Sequence, residues 1–320
     1  MIVITSLLAA VVPILFYLFL LWKYDRYDPE PLGLYFRNFL WGAVGAVFLA
    51  IIGTEMLTFA TYLVYSDEKT ISLLQTVAYA PLIEEATKGL FLFGTVISRK
   101  FDNMTDGIVY GGAIGLGFGM TENFLYFINY GETVVGWIML VIIRTLFTAV
   151  MHCVTTGTFG AFLGYAKFAP AAKKFMFPVF GFVIAVFIHF AWNFSVSFES
   201  TSLIGFLFLI LTISLFLGTF ARSISMERKM IFSELSEESA LGLIPPVHLD
   251  ILNSKIRENA GWIDESIRKN YISLATTLAF RKMQARNSAG YNRLFYQSEV
   301  AEHRNKISEL LAKPELLADL

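Results

Sequence analysis

Eight ionisable residues stand in stretches of this sequence that are otherwise apolar: Glu55, Glu84, Glu85, Lys88, Glu122, Arg144, His152 and His189, with Asn123 and Asn193 beside them. An ionised group near a bilayer centre costs at least about 2.5–3.5 kcal/mol on insertion scales, so such residues are functional by default. Four carboxylates face two permanent cations. Two negative charges are left to be met by protons, by imidazolium or by a bound metal ion, and any of the three makes the site chemically active.

Spacing decides which residues can cooperate. Glu84 and Lys88 are i,i+4 and Glu85 and Lys88 are i,i+3, so the lysine can hold one glutamate while the other faces elsewhere. His189 and Asn193 are i,i+4 on one helix face; Glu122 lies in "FGMTEN" and His152 in "FTAVMHCVTT". One chemistry is a buried glutamate acting as general base on water, with a His and an Asn donating to a developing oxyanion. The other is a zinc shell drawn from Glu84, Glu122, His152 and His189 with an open water position. Both hydrolyse a peptide bond. The scatter of ligand-type residues over four helices and the lack of HExxH favour the metal-independent route. Each residue also has a plainer reading. Glu84, Glu85 and Lys88 would be a structural ion pair, Glu122 the partner of Arg144, and His152 a core histidine bonded to a carbonyl. Glu55 is read as structural or peripheral, Arg144 as neutralising a carboxylate, and His248 and His303 as solvated tail residues.

The elements that must position these residues follow from composition. The chain has 320 residues, 56% hydrophobic and 16% charged, with 31 Phe and a mean hydropathy of +0.59, which marks an all-α, polytopic helical membrane protein. A span needs about 20 mostly apolar residues. Seven segments qualify: 2–22, 39–65, 71–98, 106–130, 133–166, 175–198 and 202–221. The first lacks a basic n-region and a cleavage site and reads as a retained helix. The fifth is longer than a bilayer requires and must tilt, project or be broken. Pro81 removes one intrahelical hydrogen bond ahead of the glutamate pair, so a kink is expected there. Gly111, Gly115 and Gly119 on the fourth segment, and Gly160 and Gly164 on the fifth, have the spacing that lets helix backbones approach closely in lipid.

Loop charge orients the chain. Eleven Lys and Arg lie in the first, third and fifth loops and the start of the tail, against Lys69 alone on the other side; this places the N-terminus outside the cytoplasm and the tail inside it. At a rise of about 1.5 Å per residue, Glu84, Glu122 and His189 meet between the midplane and the outer half, so their pocket opens away from the cytoplasm. The organisation is a seven-span domain, 1–221, and a cytoplasmic, mostly helical tail, 222–320, interrupted at "GLIPPVHL" where consecutive prolines disfavour helix. No GxxxxGK[ST] or low-complexity run gives the tail a partner. A net charge of −1 and no basic groove exclude nucleic acid. Cys153, the only cysteine, excludes an internal disulfide and a multi-cysteine metal site. A proton- or cation-coupled transporter is the alternative from another class; no internal repeat relates the two halves.

At these residues the sequence resembles the PrsW family of intramembrane proteases, within the superfamily that includes the CAAX-processing proteases. The matching pieces are "EEATK" at 84–88, "FGMTEN" at 118–123, "MH" at 151–152 and "HFAWN" at 189–193, in order over residues 1–221. The resemblance implies that Glu84 activates water and that Glu85 is its partner, braced by Lys88. It implies that Glu122 helps to hold the water, where CAAX-type relatives carry His, and that His189 and Asn193 form the oxyanion hole. His152 is similar to a family histidine. Glu122 and Lys88 set the chain nearer PrsW than the prenyl-protein enzymes. The implied substrate is a membrane-anchored protein such as an anti-sigma factor, cut on the extracytoplasmic side of the cell membrane, and the implied cofactor is none or zinc. The tail departs from the compact family form.

Overall fold

The computed structural model of the chain describes residues 2–130 and 133–312; Met1, Gly131, Glu132 and 313–320, the end of the expected tail, lie outside the described residues. Among the described residues the regular structure is helical and no strand occurs. The described residues form two compact units, one within 2–25 and 29–221, the other within 26–28 and 222–312.

The first unit contains α1 (Ile2–Tyr24), α2 (Leu32–Leu40), α3 (Val47–Tyr62), α4 (Glu68–Leu74), α5 (Ala80–Ile97), α6 (Met104–Asn129), α7 (Val134–Ile143), α8 (Ala149–Lys167), α9 (Ala171–Val196) and the beginning of α10 (Glu199–Ala240). Three π-helical turns, Trp41–Ala46, Gln75–Tyr79 and Arg144–Thr148, join α2 to α3, α4 to α5 and α7 to α8. Among the described residues five helices are long and apolar enough to cross a membrane: Ile2–Tyr24, Leu32–Tyr62, Val134–Lys167, Ala171–Val196 and Glu199–Ala240. They coincide with five of the seven expected segments. The other two, carried by α4–α5 and by α6, are helices whose glutamates, lysine and glycines lower their hydropathy. Length and apolarity alone therefore support five spans, and the two segments left over are those that hold Glu84, Glu85, Lys88 and Glu122.

The expected kink at Pro81 takes a different form. Instead of a bend within α5, a π turn precedes it, and the N–H of Ala80 bonds the carbonyl of Gln75 in the wider register. The proline ring crowds the turn before it and offers no donor, and widening that turn relieves both problems. The long fifth segment contains the π turn at Arg144, which divides α7 from α8.

Helix α6 is the centre of this unit, buried without interruption from Thr105 to Gly119. Burial on every side is possible because its glycines admit neighbouring backbones. A Cβ on Gly107 would overlap the carbonyl oxygen of Gly160, and one on Gly115 would overlap that of His152. The outer faces of α1, α3, α7, α9 and α10 instead expose Leu, Ile, Val and Phe, as a lipid-facing surface requires.

The second unit holds the rest of α10, α11 (Pro246–Leu252), a 3₁₀ turn (Lys255–Glu258), α12 (Glu265–Asn287) and α13 (Gly290–Leu311). The break at "GLIPPVHL" is made by Gly242, at φ 80°, and by Pro246 opening α11. Ile231, Leu235, Tyr271, Leu278, Phe280 and Ile307 form its core. The buried ammonium of Lys282 lies 2.6 Å from Glu238 and 3.1 Å from Glu237, and Arg304 reaches Glu238 at 2.7 Å. His248 and His303 are not the solvated residues expected. His248 is half-buried against the rings of Trp262 and Tyr271, and His303 is buried, its Nδ1 donating to the Glu299 carbonyl at 2.7 Å. Both lie on inward faces of helices whose periodicity is masked by the charged residues around them.

Candidate functional site

Helices α5, α6, α8 and α9, with the π turn at Arg144, bring eight of the ten expected residues into one largely buried network. Glu85 is fully enclosed. It accepts from Lys88 Nζ at 2.8 Å, His189 Nδ1 at 3.0 Å, Thr155 Oγ1 at 3.1 Å and Thr156 Oγ1 at 3.0 Å. Three of these donors converge on Oε1 and Thr156 meets Oε2, so both oxygens are engaged. Glu84 is held less closely, with Lys88 Nζ at 3.4 Å and His189 Nε2 at 3.7 Å. The lysine ammonium meets a third acceptor, His152 Nδ1, at 2.9 Å, so its three N–H groups match three partners. Its charge also lies 4.0 Å from the centre of the Phe118 ring, a favourable placement for a buried cation.

The histidine tautomers follow from these partners. Lys88 can only donate, so His152 Nδ1 accepts and its Nε2–H donates to Glu122 at 2.8 Å. Glu85 can only accept from His189, so His189 Nδ1 carries the proton and its Nε2, in the neutral ring, presents a lone pair toward Glu84. The rings of His152 and His189 stand nearly perpendicular, 4.9 Å apart. Glu122 is also paired with Arg144 at 2.8 Å. Arg144 in turn donates from Nε to Asn123 Oδ1 at 3.1 Å and lies 3.5 Å over the Tyr126 ring.

Two expected residues lie apart from this network. Glu55 is exposed and accepts from Gln75 Nε2 at 3.0 Å, so the buried cluster holds three carboxylates against Lys88 and Arg144. One uncompensated negative charge remains, not two. Asn193 shares a helix face with His189, but its Nδ2 donates to the backbone carbonyl of Thr76 at 2.9 Å. Thr155 and Thr156 were not anticipated from the sequence. They follow His152 by three and four residues on the same face of α8, and that spacing was the available signal.

A cleft of about 200 Å³ reaches the cluster; Glu84, Glu122, Phe118 and Ala50 line it, with Glu55 and Gln75 also on its wall. Glu84 is therefore both the least satisfied carboxylate of the buried pair and the one that meets incoming solvent.

The donor set fits a divalent metal ion. Ligand atoms of Glu84, His152 and His189, all buried, lie within 4.8 Å of one another. Two acceptors, the His189 lone pair and a Glu84 oxygen, face each other across 3.7 Å, a gap that calls for a cation or proton between them. Glu85 bonded to the far nitrogen of His189 is the carboxylate–histidine arrangement that orients a metal ligand. His152 would join by releasing Lys88 or Glu122.

Comparison with known proteins points the same way. The profile of a family described as "PrsW family intramembrane metalloprotease" matches residues 30–219. The chain is 29% identical over 168 residues to a protein named Protease PrsW of Clostridioides difficile, covering 52% of this chain and 68% of that one. It is 26% identical over 211 residues to Protease PrsW of Bacillus subtilis, covering 63% and 88%. It is 31% identical over 185 residues to Protease PrsW of Oceanobacillus iheyensis, covering 57% and 79%. No solved structure matches the chain.

Proposed function

The chain belongs to the PrsW family of intramembrane metalloproteases, and from that premise we propose that it hydrolyses a peptide bond of a membrane-anchored protein, such as an anti-sigma factor, with Glu84 activating the water. Membership of a protease family sets the transporter alternative aside. The observation that carries the mechanism is the unequal treatment of the glutamate pair: Glu85 is fully enclosed and held by four donors, whereas Glu84 is held loosely and lines the cleft. A water entering there gives its proton to Glu84 as its oxygen attacks the peptide carbonyl, and Glu84 passes that proton to the leaving amine. Glu85 and Lys88 fix the position of Glu84 and of the two histidines. Glu122, oriented by Arg144 and His152, holds the other side of the water.

In a second reading, favoured by the His189 lone pair facing Glu84, Glu84, His152 and His189 hold a divalent ion. Such an ion supplies Lewis-acid activation of the water, and Glu122 is then the carboxylate left on the cleft to take the proton. In either reading all seven expected segments cross the cell membrane. The N-terminus is extracytoplasmic and residues 222–320 cytoplasmic, which the loop charge supports.

The test is cleavage of a single-span substrate by wild type and Glu84→Gln in matched liposomes, with folding checked by thermal melt. The amide cannot accept the proton, so turnover should disappear while the melt is unchanged. Wild-type rates from a folded Glu84→Gln protein would return Glu84 to a purely structural role.

A further inference from the structure

Asn193 lies one helical turn from His189, yet its amide turns to the main chain of another helix. The reason is in the register of the π turn Gln75–Tyr79. The N–H of Ala80 bonds the carbonyl of Gln75, five residues back, and not that of Thr76. In the same wide register the donor for Thr76 would be the nitrogen of residue 81, which is a proline and has no hydrogen. The Thr76 carbonyl is thus left without an intrahelical partner, and a backbone acceptor in that position needs a donor from elsewhere. Asn193 Nδ2 supplies the missing hydrogen bond at 2.9 Å.

We propose that Asn193 is a positioning residue that caps the Thr76 carbonyl orphaned by Pro81, and so holds the π turn from which α5 presents Glu84 and Glu85. Each extra residue in a helical turn rotates everything after it by about 100°, since a turn takes 3.6 residues. Relaxing the π turn to a regular α-helix would swing Glu84 and Glu85 away from His152 and His189. The other two π turns are tied in a similar manner. Thr121 Oγ1 donates to the Ala43 carbonyl at 2.7 Å and Asn123 Nδ2 to that of Arg144 at 3.4 Å. Side chains of α6 and α9 thereby fix the three irregular turns around the site. Asn193 acts through the glutamates and not on the oxyanion. The consequence for turnover rests on the protease reading; the capping does not.

The experiment is a double-mutant cycle on the full chain in one detergent: wild type, Asn193→Ala, Pro81→Ala and the double variant, each followed by thermal melt and by substrate cleavage across pH. Pro81→Ala restores the backbone donor. Asn193→Ala should lower the melting temperature by several degrees in the wild-type background and by less than a third of that in the Pro81→Ala background. In the wild-type background it should also lower kcat at least tenfold, with KM little changed, and displace the pH profile as Glu84 moves. An unchanged melting temperature, with the same loss of kcat in both backgrounds and an unmoved pH profile, would overturn the proposal and make Asn193 an oxyanion donor. If Pro81→Ala does not fold, solid-state NMR of protein labelled with ¹³C′-Thr and ¹⁵N-Val decides. The Thr76 carbonyl signal must move on Asn193→Ala, and an unmoved signal overturns the cap. Melts and NMR need no substrate, so a protein that cut nothing would defeat the protease reading while leaving this one to stand or fall by itself.

Discussion

Glu84 and Glu85 are chemically identical neighbours that the fold makes unequal. The division depends on Thr155 and Thr156, whose hydroxyls occupy Glu85 and spare Glu84. Replacing both by Val removes two hydrogen bonds to a buried charge, each worth about 1.5–3 kcal/mol. The double variant should melt several degrees lower and cut at least tenfold more slowly in the liposome assay. Lys88→Met removes the cation shared by three acceptors and should be more severe, since breaking a buried ion pair costs about 3–5 kcal/mol. Purified active protein is expected to contain about one zinc per chain if Glu84, His152 and His189 serve as ligands. Metal analysis, with chelation and re-addition, separates that reading from a metal-free glutamate base. Much of this network could be read from sequence, because i,i+3 and i,i+4 spacing pairs Lys88 with both glutamates. What could not be read was the partner of each histidine. His152 meets Lys88 across 64 positions of sequence and His189 meets Glu85 across 104, and no local rule encodes such distances.

At the scale of elements, glycine decides how close the site's helices come. Gly115 faces the His152 carbonyl directly, so Gly115→Ala must push α8 away from α6 and draw His152 from Lys88 and Glu122. Expected are loss of cleavage and a clear fall in melting temperature. Gly94 on α5 is the control: nothing lies near its would-be Cβ, so Gly94→Ala should stabilise by about 0.5–1 kcal/mol through helix propensity alone. The glycine spacing was legible as close packing, and the helices themselves were legible from apolar length. The π turns were not. Pro81 advertised a distortion, but whether a helix bends or widens depends on a side chain such as Asn193 arriving from elsewhere.

Over the whole molecule, the seven crossings proposed above make a concrete claim about sides. In protein lacking Cys153, cysteine placed at Ser66 should react with an impermeant reagent in intact cells, and cysteine at Ser236 should not; the reverse pattern would invert the orientation. The second unit has its own pH dependence. Burial lowers the pKa of His248, so the folded state resists the protonation that the unfolded chain accepts. Its contribution to stability declines as pH falls below the unfolded value of about 6.5. For Glu238, burial raises the pKa, but hydrogen bonds from Arg304 and Lys282 outweigh it and leave the group below its ordinary value. That stabilisation is present above the unfolded value of about 4.3 and is lost as pH falls through the lower folded one. With the intrinsic slowing of exchange at lower pH divided out, hydrogen-exchange protection over residues 246–287 should fall in two stages on acidification, and His248→Phe should remove the first. The charged surface of α12 and α13 hid this core from a hydropathy reading. The two expected segments that fall short of a span's apolarity, α4–α5 and α6, also carry a consequence for synthesis. A nascent segment enters the bilayer on its own hydropathy, and these two, polar or glycine-rich, hold weakly until later helices arrive. In a glycosylation assay of ribosome-bound chains, α6 should therefore insert poorly when the chain stops before Val134 and fully once α8 has emerged, so that premature termination leaves α6 uninserted on a fragment anchored by its first apolar helices.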